Sequence, residues 1–280
     1  MIDPQLEGRV ALVTGANQGI GAAMARALAA QGTGVFVTYL RLAESDPGVR
    51  AMQATAAATA GAYAAARART ADDVIGEIVR AGGRADAWEA DLRVPGVIGE
   101  LFDRAEAALG PVDVLVNNAD AWAGDTFLAS ATDHLGRRLT PVSAATHDHH
   151  FAVNSRATAL LIAEFARRHQ ERGASWGRIV SLTTGGAAGF PQEVSYGASK
   201  NALESYTVAA AGELGHLGIT ANVLSPPATD TGWITPELAA EITRTSPLRH
   251  VGQPDEVAEV VVFLASHQAR FITGQKIVLR

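Results

Sequence analysis

Short apolar runs alternate along this chain with longer stretches whose apolar positions recur at helical spacing. Residues 9–14 (RVALVT) are an apolar run stopped by Gly15 and predict a buried strand. Residues 22–31 carry helix formers and one apolar face, and Gly32 and Gly34 end them. Residues 34–39 (GVFVTY) predict a second buried strand, which completes a β-turn-α-β unit. Residues 41–69 are rich in Ala, Thr and Gly, lack clear periodicity and predict an inserted, partly helical surface segment. Beyond it, Thr70-Ala71-Asp72-Asp73 resembles a capping box opening a helix to Arg80. Further strands are expected at 85–89, 112–116, 178–182, 219–224 and 276–279, and further helices at 97–109, 151–170, 196–214, 236–244 and 254–265. Residues 122–148 are loop-rich, and a glycine-rich loop follows 178–182. Strands alternating with helices predict an α/β fold. Right-handed crossovers make it a doubly wound, Rossmann-like parallel sheet of about seven strands with helices on both faces. No composition break separates a second domain, so residues 1–280 read as one domain with a surface insertion at about 42–69.

Composition narrows the function classes. A net charge of −6 without a basic block argues against nucleic acid as a partner. The absence of cysteine removes disulfides, thiolate metal sites and a cysteine nucleophile. No apolar run approaches the ~20 residues that span a bilayer, and the first residues lack the basic start of a signal peptide, so no membrane association and a cytoplasmic location are expected. His147, His149 and His150 cluster at a loop-to-helix junction without a partner cluster, which predicts a solvated helix start and no metal site.

Two motifs carry chemistry. Between the first strand and helix, Thr14-Gly15-Ala16-Asn17-Gln18-Gly19-Ile20-Gly21 places glycines where backbone can approach a ligand and a helix N-terminus can meet a pyrophosphate. Farther on, Tyr196 and Lys200 are spaced to share one helix face. A cation beside a phenol lowers its pKa from about 10 and makes it a candidate acid/base for a carbonyl or alcohol.

With these motifs, the strand ending in Asn117-Asn118-Ala119, and Asn154, the chain resembles the short-chain dehydrogenase/reductase family from Gly8 to Gln275, including its 3-oxoacyl-thioester (acyl-carrier-protein) reductase-like members. The resemblance implies an NAD(P)-dependent oxidoreductase acting on a ketone or secondary alcohol. It implies Tyr196 as proton donor, Lys200 as the lysine that binds the nicotinamide ribose and lowers the tyrosine pKa, and Asn154 as the holder of a proton-relay water. Gly15, Asn17, Gln18, Gly19, Ile20, Gly21, Asn118 and Ala119 fall to the cofactor by the same resemblance. Asp91 and Leu92 fall to its adenine, and Thr231 to its carboxamide. A homodimer or tetramer, with the helices of Phe151 and Tyr196 pairing across subunits, is likewise implied. Trp122 and Trp233, at the carboxyl ends of strands, are candidates to line the substrate pocket alongside Trp176, and Trp88 reads as core.

Four departures bear on this reading. Thr184 stands where the family has a substrate-binding serine, with Thr183 as the alternative and Ser195 behind both. Asp120 replaces the glycine after Asn117-Asn118-Ala119. Tyr39 occupies the end of the second strand, where an NAD enzyme carries an acidic residue, and Arg41 follows it. An arginine there suits a 2′-phosphate and favours NADP(H), with NAD(H) as the alternative. The short region 232–252 implies an open mouth suited to a 3-oxoacyl thioester. A nucleotide-binding sensor or scaffold that has lost turnover is the competing reading, motivated by Asp120 and Thr184.

Overall fold

Strand β1 (Val10–Thr14) is buried along its whole length, and its side chains divide between two cores. Ala11 and Val13 pack with Met24, Leu28, Val74, Ile78, Val257 and Leu264 on one face, while Val10 and Leu12 pack with Phe102, Leu115, Leu161 and Phe165 on the other. A strand buried on both sides is what a continuous apolar run predicts. The computed structural model describes residues 3–53, 57–185 and 189–280. Residues 54–56 of the insertion and 186–188 of the glycine-rich loop lie outside the described residues.

After β1 come α1 (Gly19–Ala29), β2 (Gly34–Tyr39), α2 (Pro47–Met52), α3 (Ala57–Arg67), α4 (Asp72–Arg80), β3 (Ala85–Glu89), α5 (Val97–Leu109) and β4 (Val114–Asn117). The second half holds β5 (Gly124–Thr126), β6 (Leu139–Pro141), α6 (Ala144–His150), a π-helical turn at Phe151–Ala157, α7 (Thr158–Glu171) and β7 (Gly177–Leu182). It closes with α8 (Val194–Leu214), β8 (Ile219–Ser225), α9 (Pro236–Thr245), α10 (Pro254–Ala265) and β9 (Lys276–Val278). The main sheet has seven strands in the order β3-β2-β1-β4-β7-β8-β9, every neighbouring pair parallel. Helices α1, α4 and α10 cover one face, and α5, α7 and α8 the other.

The chain departs from the sequence expectation in two places. Residues 122–148 contain the short parallel pair β5–β6 and then α6, whose Ser143–Thr146 capping box starts the helix seven residues before Phe151. The insertion is ordered into α2 and α3 where described. Asp46 caps α2 by accepting from the N–H groups of Gly48 and Val49, and Pro47 pre-sets its first turn. Val49, Met52 and Tyr63 then bury against Trp122 and Trp233, so the insertion packs onto the loops beyond β4 and β8.

Candidate active site

The strand order reverses between β1 and β4, and a cavity of about 540 Å3 opens past the carboxyl ends of these strands. Of the residues singled out from sequence, Gly15, Asn17, Gln18, Gly19, Ile20, Gly21, Tyr39, Asp91, Leu92, Asn118, Ala119, Thr184, Tyr196, Lys200 and Thr231 line it, whereas Arg41 and Asn154 do not.

At one end lies the glycine turn. Gly15 has φ of +66°, and a Cβ there would stand 2.7 Å from Ala119 Cα. At Gly21 a Cβ would meet Gly15 O at 2.3 Å. Only glycine fits either place. Gln18 enters α1 extended and makes no side-chain cap, which leaves the first-turn N–H groups without a side-chain acceptor. Asn118 locks the turn to β4: its Nδ2 donates to Thr14 O at 2.9 Å and Gly15 O at 3.0 Å, while Thr14 Oγ1 accepts from the N–H groups of Asn118 and Ala119. A glycine cradle at a free helix N-terminus fits the pyrophosphate of a dinucleotide. Thr231 lies directly over Gly19.

Beyond the turn, Tyr39 ends β2 beside Asp91 and Leu92. The Asp91 carboxylate accepts from the Arg93 guanidinium at 2.8–3.0 Å. Burial pushes this carboxyl up, but the Arg93 bonds outweigh burial and hold it below its ordinary value. Arg41 is exposed and turned to the rim, where its Nε lies 3.0 and 2.9 Å from the two Glu89 carboxylate oxygens.

At the other end, Lys200 is buried, with Nζ 5.8 Å from the centre of the Tyr196 ring and donating to Leu182 O at 3.1 Å. The expected electrostatics are reversed. Burial pushes the Tyr196 phenol well above its ordinary range, Asp120 and Glu193 push it further, and Arg67 opposes them. Burial also pushes the Lys200 ammonium down. Desolvation of both groups outweighs the attraction that motif spacing alone suggests.

Both Thr183 and Thr184 line the cavity, but their hydroxyls are engaged differently. Thr183 Oγ1 donates to Glu204 at 2.7 Å, and Glu204 also accepts from Lys276 at 2.7 Å, so this hydroxyl belongs to a structural network. Thr184 is half-buried at the cavity wall and has no such commitment among the described residues. Ser195 is buried with its N–H on Asp125 and lies off the cavity. Asn154 sits fully buried in the π-helical turn and spends its side chain on structure, exchanging bonds of 2.8 and 2.9 Å with the Ala121 backbone and donating to Ser199 Oγ. Ser199 in turn donates to Tyr196 O. Asn154 thus ties the loop after β4 to the helix of the Tyr–Lys pair.

Trp122 and Trp233 line the cavity. Trp176 instead lies between the Arg9 and Arg178 guanidiniums, and Trp88 packs at the core edge under Arg104. The histidines are only partly the solvated start expected: His147 stacks on Phe151, but His150 is fully buried between Thr146 O and the Ala123 N–H. Asp46, which sequence reading weighs as an acidic alternative within the insertion that favours NAD(H), lines the cavity, whereas Met52, Tyr63 and Arg67 of the insertion, and Arg137, His149, Phe190 and Glu193, were missed as lining residues. Asp120 was the available signal, since a carboxylate at a glycine position calls for a cation nearby. The insertion also packs against Trp122 and Trp233, two residues of the cavity wall.

A family model described as Enoyl-(Acyl carrier protein) reductase matches residues 43–279. The uncharacterized oxidoreductase YjdA of Bacillus subtilis is 33% identical over 270 residues, which cover 95% of this chain and 93% of the relative. The crystal structure of a dehydrogenase/reductase from Sinorhizobium meliloti superposes with a TM-score of 0.78 at 32% identity, covering 99% of this chain and 95% of that one. The angucycline C-6 ketoreductase LanV with bound NADP superposes with a TM-score of 0.75 at 31% identity, covering 98% and 94%.

Proposed function

Since the chain belongs to the short-chain dehydrogenase/reductase family, whose members bind nicotinamide cofactors, we propose that this oxidoreductase reduces a ketone to a secondary alcohol with NADP(H) and with Tyr196 as proton donor. The observation that carries the reading is the buried Tyr196–Lys200 pair in one cavity with Thr184 and the glycine turn. The cofactor supplies the hydride when bound. The glycine turn, braced by Asn118, would hold its phosphates, Asp91 and Leu92 its adenine, Thr231 its carboxamide and Lys200 its ribose. As negative charge grows on the substrate oxygen, Tyr196 gives up its Oη–H proton to that atom and Thr184 donates a hydrogen bond to it. A phenol raised by burial holds its proton through neutral pH, which suits reduction. Asn154 keeps the Ala121 loop and α8 in register for this transfer.

NADP(H) is preferred on the strength of the NADP-bound ketoreductase LanV and of Arg41 after β2, which pairs with Glu89 here and would have to exchange Glu89 for a 2′-phosphate. The substrate side is walled by Trp122, Trp233, Tyr63 and Phe190. This lining favours a compact, flat ketone over the long arm of a 3-oxoacyl thioester. The reading extends to a homodimer or tetramer. The test is turnover of a panel of aromatic ketones and acyl thioesters with NADPH and NADH, beside Tyr196→Phe. Tyr196→Phe is expected to cut kcat by about 10²–10⁴ with cofactor affinity unchanged. Retained turnover in that variant sinks the proton-donor role. Tight cofactor binding without turnover on any substrate favours the sensor reading.

A further inference from the structure

We propose that Arg67, carried by the insertion, is a positioning residue that neutralises Asp120 next to the Tyr196–Lys200 pair. The proposal rests on the reading of Tyr196 as the proton-transferring group. Asp120 lines the cavity, and Arg67 Nη1 stands 3.8 Å from its Oδ1, the two side chains 20% and 29% exposed. Arg67 is held there from both sides of the crevice. Its carbonyl accepts from Leu42 N–H at 3.0 Å, and Asn17 of the glycine turn donates to Arg69 O at 2.8 Å. Its guanidinium lies 5.1 Å from the centre of the Tyr63 ring, and its buried Nε has no hydrogen-bond partner among the described residues.

The other carboxylates of the cavity already have partners, while the Lys200 ammonium donates to Leu182 O and has no carboxylate at ion-pair distance among the described residues. Arg93 is bonded to Asp91, and Arg137 to Asp133 and Glu193. Asp46 spends its carboxylate on the cap of α2. The titratable and charged groups facing Tyr196 are Lys200 on its own helix, Glu193 just before it, His150 at the end of α6, Asp120 after β4, and Tyr63 and Arg67 on α3. Glu193 has Arg137, so Asp120 is the carboxylate in this group whose ion-pair partner is Arg67, and its charge also bears on the Lys200 ammonium. Burial works against the Arg67 charge, but Tyr63, Asp120 and Asp46 hold it in place. Unmatched, the Asp120 charge opposes phenolate at Tyr196 and also repels cofactor phosphates. The glycine-to-aspartate change and the insertion are therefore two halves of one arrangement.

The pairing is tested with Arg67→Gln, Asp120→Gly, the double variant and Arg67→Lys. Two readouts are followed: NADPH and NADH affinity by fluorescence, and the acid limb of alcohol oxidation, which requires the Tyr196 phenolate. In Arg67→Gln the unmatched carboxylate raises the acid limb by roughly half to one pH unit and weakens both cofactors several-fold. Asp120→Gly leaves an unmatched cation and moves the limb down. The double variant returns both readouts to near wild type, and Arg67→Lys retains them. A double variant that stays at the Arg67→Gln affinity, with an unmoved limb, overturns the proposal and makes Arg67 a direct cofactor ligand. If Tyr196→Phe keeps its turnover, the proton-donor reading fails, and the affinity cycle still decides whether Arg67 serves Asp120.

Discussion

Thr183 and Thr184 are chemically identical and adjacent, yet their surroundings assign them different work. The Thr183 hydroxyl is buried on Glu204, which is itself paired with Lys276 across to β9. Both threonines line the cavity that holds Tyr196, but the Thr184 hydroxyl has no partner among the described residues. Thr184→Ala is therefore expected to lower kcat by about a hundredfold, the usual loss for one donor to a developing oxyanion, with Tm unchanged. Thr183→Ala is expected to do the reverse, leaving kcat nearly intact and costing about 1–3 kcal/mol through the lost hydrogen bond to the Glu204 carboxylate, which keeps Lys276. Steady-state kinetics and thermal melts on the two variants check this, and an exchange of the two outcomes assigns the donor role to Thr183. The same contrast applies at Tyr196. Spacing alone places a cation near the phenol, but burial and two carboxylates set the sign of its shift.

Among the elements, the insertion changes the site most. Helix α2 is able to lie on the Trp122 loop because Gly48 has no side chain: a Cβ there would stand 2.2 Å from Trp122 O, a backbone atom that cannot swing aside. Gly48→Ala is expected to push α2 off this loop, destabilise the protein by about 1–3 kcal/mol as overpacking does, and make the insertion the first segment cut in limited proteolysis. An unchanged melting temperature and digestion pattern would show that the contact is dispensable. Elements whose order depends on local pattern were legible in the sequence. The apolar runs at 10–14, 34–39 and 219–224, the glycine turn and the Tyr–Lys helix all lie within a few residues of where pattern puts them. Elements fixed by distant partners were not. Helices α2 and α3 are Ala- and Gly-rich and take their positions from Trp122 and Trp233. The π-helical turn at Phe151–Ala157 is a backbone register change around Asn154 that side-chain periodicity does not encode. Arg41 illustrates the same limit in the site, since its partner Glu89 lies on the neighbouring strand 48 residues away.

At the scale of the whole molecule, the active crevice occupies the carboxyl edge of the sheet and leaves the outer face of α7 and α8 to other contacts. That face carries exposed apolar side chains from which a monomer gains nothing: Leu160 on α7 and Tyr206 on α8 are 36% and 45% exposed. Leu160 and Tyr206 also border a shallow groove with Phe151 and His147. These are the helices through which family resemblance implies subunits to pair, and burying such residues on a second copy recovers roughly 25 cal/mol for each Å2 removed from water. Their helices also carry the site, since α8 bears Tyr196 and Lys200 and the turn leading into α7 bears Asn154. Tyr206→Glu combined with Leu160→Glu places two carboxylates where self-association would desolvate them. The expected outcome in light scattering is a fall to the monomer mass, accompanied by weaker turnover because α8 loses external support. A monomeric wild type removes the subunit contact altogether, and a variant that keeps a larger wild-type mass moves it elsewhere on the surface.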